Sequence, residues 1–258
     1  MRIDEHNVAH QDFTLCTFNT DADYAATPRW FFEICQEIAG LHSLMRGCAI
    51  TDLIKEGKSW VISRERMEIY SYPRWADVLH LKTGIPESSS YFAPRTIVAQ
   101  DKDGKPVFKS STMWAVVDYQ TKMPLKVGDI YERIRAAVDE DFVDTGLRRT
   151  PKTDLDAAEQ TGVFSTYRPQ VSYWDTDLNR HVNNTVYLDW ILRSMDSSYL
   201  KSHRPALIDV MWMHEIHETD RVAVNVYKVG ENRFVYAVCT EQENGTLTRA
   251  CAAEIQFV

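Results

Sequence analysis

The stretch Tyr173–Trp190 reads YWDTDLNRHVNNTVYLDW. Asp175, Asp177, Asn179, Arg180, His181, Asn183 and Asn184 all fall within ten of its residues. Apolar residues then recur at helical spacing, at Val186, Tyr187, Trp190, Ile191 and Met195. A polar turn therefore feeds a buried helix. In an extended turn successive side chains alternate, so Asp177, Asn179 and His181 are expected on one side. Leu178, Arg180 and Val182 are expected on the other. A carboxylate, an amide and an imidazole beside a helix N-terminus suit hydrolysis or acyl transfer. The free N–H groups there and the positive end of the helix dipole match a developing oxyanion. The competing reading makes Asn183 or Asn184 a helix cap and the other polar groups solvated turn residues. Spacing alone does not separate the two.

Around this stretch the pattern is strand, helix, strands. A strand is predicted near 163–172 and the helix over 184–200. Further strands follow near 205–217, 221–229, 233–242 and 246–257, with turns at Gly230-Glu231-Asn232 and Glu243-Asn244-Gly245. The first half has the same order. A strand is predicted over 12–19, and Thr27-Pro28 opens a helix with Pro at its first position. The buried face of that helix is expected to run through Phe31, Ile34, Cys35, Ile38, Leu41 and Met45. Strands follow near 59–70, 77–85, 91–100 and 106–118, the last two joined by an Asp103-Gly104 hairpin, and a short helix over 129–137. Residues 138–160, VDEDFVDTGLRRTPKTDLDAAEQ, are polar, broken by Gly146 and Pro151, and read as a linker. The chain thus divides into a domain over 1–137, the linker, and a domain over 161–258. A gapless overlay at an offset of 154 residues sets Asp23 on Asp177, Ala25 on Asn179 and Thr27 on His181. The first copy then lacks the polar constellation.

The whole chain bounds the function classes. Its 258 residues hold two domains of ordinary globular composition. No apolar run approaches the ~20 residues of a membrane span. A net charge of −8 argues against a nucleic-acid binder. Five cysteines without metal-type pairing suggest a reducing compartment. With no signal-peptide core or transit segment read at the N-terminus, a cytoplasmic location is expected.

The central stretch resembles the active-site segment of the acyl-acyl carrier protein thioesterases. That segment is Asp-x-Asn-x-His-Val-Asn-Asn, with Tyr and Trp following, here Asp177, Asn179, His181, Val182, Asn183, Asn184, Tyr187 and Trp190. Trp60–Arg64 (WVISR), Tyr72–Asp77 (YPRWAD) and Ser110–Trp114 (SSTMW) resemble the family's first half in the same order. The resemblance implies an α+β fold of two tandem hotdog domains, each a long helix wrapped by an antiparallel sheet. It implies hydrolysis of fatty acyl-acyl carrier protein to free fatty acid, with the acyl carrier protein as partner and no cofactor or metal. It assigns the N-terminal domain to acyl-chain binding and the C-terminal one to catalysis. Monomer and homodimer both stay open.

Catalytic roles fall to Asp177, Asn179, His181 and Glu215. The family's further carboxylate lies on the strand after the second helix, and Glu215 in MWMHEIHETD (Met211–Asp220) fits it. Strand alternation sets Met211, Met213, Glu215 and His217 on one face, so Glu215 is expected to be desolvated and basic. The plant members' Cys after this Glu is Ile216 here, which excludes a Cys–His mechanism at that place. Glu215 and Asn179 would activate water, and Asp177 would orient the network or attack as an anhydride. His181 would hold a carboxylate or move a proton, and N–H groups near Asn183–Thr185 would polarise the carbonyl. His214-Glu215-Ile216-His217 is one residue short of a zinc motif. Arg148, Arg149 and Lys152, and Arg64 with Arg66, are basic clusters that could dock an acidic carrier. Two alternatives stand beside hydrolysis of the carrier thioester: a hotdog enzyme acting on acyl-CoA or dehydrating hydroxyacyl substrates, and a silent lipid-binding module.

Overall fold

In the computed structural model, which describes residues 1–86, 88–136, 147 and 151–258, the chain splits into two compact units, Met1–Leu147 and Arg148–Val258. In the first unit, helix α1 (Pro28–Met45) lies beside an antiparallel sheet. The sheet's strands are β1 (Arg2–Ile3), β2 (Ala9–Thr14), β3 (Lys58–Ile69), β4 (Val78–Gly84), β5 (Phe92–Gln100) and β6 (Pro106–Asp118). They run in the order β1-β2-β4-β5-β6-β3, with β7 (Pro124–Leu125) on β6. Short helices α2 (Ile50–Leu53) and α3 (Gly128–Ile134) complete the unit. In the second unit, α4 (Pro151–Glu159), α5 (Asn184–Arg193) and α6 (Ser197–Ser202) accompany a second antiparallel sheet. Its strands β8 (Ser165–Tyr167), β9 (Pro205–Trp212), β10 (Val222–Lys228), β11 (Arg233–Glu241) and β12 (Leu247–Phe257) run in the order β9-β12-β11-β10-β8. Each unit is a hotdog of the α+β class.

Local chemistry accounts for the elements. Pro28 sits at N1 of α1, where its missing N–H costs nothing. Fully buried Phe31 meets Phe108 of β6 edge-on at 5.4 Å, a contact worth more than its area alone. Between β5 and β6, Asp101 accepts from the N–H groups of Asp103 and Lys105, and Gly104 takes φ +77° to close the hairpin.

The structure departs from the sequence reading in several places. The buried stripe of α1 runs through Ala39 and His42, whereas Leu41 is half-buried and Met45 exposed. His42 turns inward because buried Arg95 donates to its ring. The first predicted strand is β2, several residues earlier, and the one near 163–172 shortens to β8. The helix predicted over 184–200 breaks at Ser194–Asp196, because Asp196 caps a new one by accepting from Ser198 N–H. Part of the expected linker, Pro151–Glu159, is helix α4, whose Leu155 and Ala158 pack on Ala237 and Ala252. The remainder of 138–160 falls mainly outside the described residues, as do Arg148 and Arg149. Arg64 is no surface docking residue: it is buried, and its Nη1 donates to Leu147 O.

Candidate active site

The polar stretch folds as a tight turn ahead of α5, not as an extended run. Thr176 and Val182 form an antiparallel bridge, and Asp177 N–H donates to His181 O at 2.9 Å. Arg180 N–H donates back to Asp177 O, with Arg180 in the left-handed region at φ +63°. For a side chain with a Cβ that conformation costs on the order of 1 kcal/mol, so the surrounding bonds must hold it. The Asp177 carboxylate does much of this. One oxygen accepts from Asn179 N–H at 2.8 Å, and the other lies 3.5 Å from Asn183 Nδ2. Asp177, Asn179 and His181 end up half-buried while Leu178 and Arg180 face solvent.

Asn183 is also the helix cap. Its Oδ1 accepts from Thr185 N–H at 2.9 Å, and its own N–H donates to Asp175 O. Capping and site formation are therefore the same event, not competing readings. Of the three N–H groups expected to polarise a carbonyl, those of Asn183 and Thr185 are already used. Asn184 N–H donates to no acceptor among the described residues.

Glu215 does not lie on a strand. β9 ends at Trp212, and Met213–Asp220 loops out, pinned by Met213 N–H and His214 N–H on Ala250 O. The loop docks on the turn through Val182 N–H to Ile216 O at 2.8 Å, with Ile216 fully buried. Glu215 thereby reaches His181, with Oε2 at 3.1 Å from Nε2. The expected face of methionines does not form, and the Glu215 side chain keeps 36% exposure. The desolvated carboxylate is instead Asp177, whose pKa burial raises from its ordinary value. The Asn179 N–H, the His181 charge and the Asn183 amide pull the other way. His217, given no catalytic role in the sequence reading, meets the His181 ring edge-on at 5.4 Å. Among the described residues no three metal-ligating side chains converge.

Residues 6–134 match the N-terminal domain of the acyl-ACP thioesterases, and residues 158–257 match their C-terminal domain. The chain belongs to the acyl-ACP thioesterase family. The palmitoyl-acyl carrier protein thioesterase, chloroplastic, of Gossypium hirsutum is 25% identical over 221 residues, 81% of this chain and 52% of that protein. Oleoyl-acyl carrier protein thioesterase 1, chloroplastic, of Arabidopsis thaliana is 24% identical over 228 residues, 82% of this chain and 61% of that one. The chain thus spans about half the length of the first of these curated relatives. Two solved structures share the fold. An acyl-ACP thioesterase of Bacteroides thetaiotaomicron superposes with a TM-score of 0.82 at 22% identity, covering 98% of this chain and 99% of that one. The 12:0-ACP thioesterase of Umbellularia californica gives 0.78 at 18% identity, covering 98% and 97%.

Within this thioesterase fold the first unit repeats the site's scaffold bond for bond. Asp21 N–H donates to Ala25 O, Tyr24 N–H to Asp21 O, and Thr20 bridges Ala26. Asp21 Oδ1 accepts from Asp23 N–H at 2.9 Å, and Tyr24 takes φ +61°. Every one of these matches the second copy at an offset of 156, not 154. The correct pairs are therefore Asp21 with Asp177, Asp23 with Asn179 and Ala25 with His181. The docking loop repeats too. Ala26 N–H donates to Pro73 O at 2.9 Å, and Arg74 N–H to Asp77 Oδ2, as His217 N–H does to Asp220 Oδ2. That register sets Tyr72 at the Glu215 position, where its ring packs edge-on against Phe31. The thioesterase-like segment Tyr72–Asp77 is thus the first copy of the Glu215 loop.

Proposed function

We propose that this chain hydrolyses the thioester between a fatty acyl chain and acyl carrier protein, releasing free fatty acid, with the second unit carrying the chemistry. The observation that carries this reading is the contrast between the two copies. Both hold the Asp-centred turn, but only the second adds His181 and Glu215, whose Nε2 and Oε2 lie 3.1 Å apart beside a helix N-terminus. Asp21 makes the same backbone turn bonds in a copy that has Ala25 and Tyr72 in place of His181 and Glu215, so the Asp at this position serves the turn first. This favours attack by water over a covalent Asp177 intermediate. Glu215, oriented by His181, takes a proton as water attacks the carbonyl carbon. The Asn184 N–H and the α5 dipole receive the developing oxyanion. The C–S bond then breaks, and the thiolate recovers a proton through the same pair. Asp177, tied to Asn179 and Asn183, positions the turn. Asn179 helps to hold the water.

The first unit supplies the wall for the acyl tail, with Trp30, Phe31, Phe32 and Ile34 buried along α1. Five free thiols suit a reducing cytosol. The test is release of free fatty acid from acyl carrier protein and acyl-CoA thioesters of one chain length. Preference for the carrier thioester supports the reading. Preference for CoA moves the substrate, and no release from either leaves a binding module.

A further inference from the structure

Away from the Asp177–Glu215 site, three polar side chains meet inside the first unit. They are Arg95 on β5, His42 on α1 and Thr83 on β4, all buried, with Arg95 only 3% exposed. Arg95 Nη1 donates to His42 Nδ1 at 3.1 Å and to Thr83 Oγ1 at 3.2 Å. The Thr83 hydroxyl donates onward to Thr96 O at 2.9 Å, which leaves it an acceptor toward Arg95. Burial, with the Arg95 charge beside it, brings the His42 imidazole down to about 3, so the ring is neutral. Because Nδ1 accepts, the ring proton sits on Nε2, and Nε2 is buried with no partner among the described residues. Arg95 Nε and Nη2 likewise donate to no acceptor among the described residues.

No carboxylate among the described residues offsets the charge. Burial lowers Arg95 to about 10, still cationic at neutral pH. Among the described residues the titratable groups beside it are neutral His42 and Cys48, whose thiol burial pushes up to about 11. Buried cations are normally paired, and water can satisfy the N–H groups but not the charge. The free guanidinium edge offers two parallel N–H groups, the geometry of a carboxylate. Fully buried Ile38, Leu81 and Ile97 stand on the same elements nearby, so the surroundings suit an alkyl chain.

We propose that Arg95, His42 and Thr83 form an internal carboxylate site for the end of an apolar chain. The carboxylate belongs either to a free fatty acid or to the far end of a chain tethered elsewhere. The experiment is calorimetric titration and thermal melting of the full chain with decanoate, decanol and the monoamide of decanedioic acid. Decanoate is expected to bind at least tenfold more tightly than decanol and to raise Tm. Arg95→Met should abolish that preference. His42→Asn keeps an oxygen for Arg95 but deletes the Nε2 donor, and should weaken decanoate binding severalfold. Circular dichroism checks the fold of both variants. Decanoate binding more tightly than the monoamide identifies the free acid, and the reverse identifies the tethered chain. No preference for decanoate over decanol in the natural chain overturns the proposal, whether or not either variant folds. So does a preference that survives in folded Arg95→Met. Because the readout is binding, failure here leaves the hydrolytic reading untouched.

Discussion

Replacing Glu215 by Gln tests the pair that distinguishes the second copy. The amide preserves volume and can still accept from His181 Nε2 across the 3.1 Å contact. It removes only the basic oxygen. Loss of a general base costs about two to four orders of magnitude in kcat, or ~3–5 kcal/mol of transition-state stabilisation. His181→Ala leaves Glu215 unaligned and should cost a similar or smaller factor. If the two act as a unit, the double variant is no slower than the slower single one, because the second loss removes nothing still working. Stability should hardly move. The side chains keep 14% and 36% exposure, and ion pairs at such a rim contribute roughly 0–1 kcal/mol. The assay is single-turnover release of fatty acid from an acyl carrier thioester, with thermal melts of all four proteins. Activity within threefold of the natural chain in Glu215→Gln would remove Glu215 from the mechanism. Losses that simply multiply in the double variant would refute the coupling.

Asp177→Asn keeps an oxygen for Asn179 N–H, so it should slow turnover by about tenfold, less than Glu215→Gln, while Asp21→Asn leaves turnover intact. Equal losses in Asp177→Asn and Glu215→Gln, measured in the same assay, would return Asp177 to the covalent role. Glu65 is buried, accepts from Ser110 Oγ at 2.7 Å, and burial raises it to about 8 from 4.5. The native state then holds a proton that the unfolded chain releases near 4.5, so stability falls as pH rises from about 4.5 to 8, by several kcal/mol in all. Glu65→Gln should flatten Tm across that window, and an unchanged slope would sink the assignment. Ile34→Ala or Met67→Ala, both at buried positions, should shift product chain length upward, each buried CH₂ being worth ~0.8 kcal/mol. If only the second-unit change Ile191→Ala shifts the profile of released acids, the tail lies elsewhere.

Much of this was legible because it rests on local chemistry. Thr27-Pro28, Asp103-Gly104 and the apolar period of α1 each specify their element within a few residues. The structure leaves Asp177, Asn179 and His181 half-buried, but not by the alternation that the sequence suggests. Alternation assumes an extended run, whereas the turn is set by Asp177 accepting from Asn179 N–H and by Arg180 at positive φ. Glu215 was located, but its surroundings were not, because an apolar-polar alternation looks the same whether β9 continues or stops at Trp212. What stops it is Ile216 docking on Val182, a contact distant in sequence. His42 was missed because its reason for burial is Arg95, fifty-three residues away.

The two-residue error in the overlay changes what the repeat says. At an offset of 154 the first copy keeps an Asp but lacks the Asn and the His. At 156 it has kept the turn, its Asp, the positive-φ residue and the docking loop, and differs at Asp23, Ala25 and Tyr72, where the second copy has Asn179, His181 and Glu215. A backbone conformation that costs on the order of 1 kcal/mol is retained in both copies, although only one has the His–Glu pair. The turn is therefore held for what it does to the fold: it sets the start of the long helix and fixes the loop against it. Any residue that makes those bonds, Asp177 included, is weak evidence for chemistry by its presence. The residues that carry information about the reaction are those the scaffold does not need, chief among them His181 and Glu215.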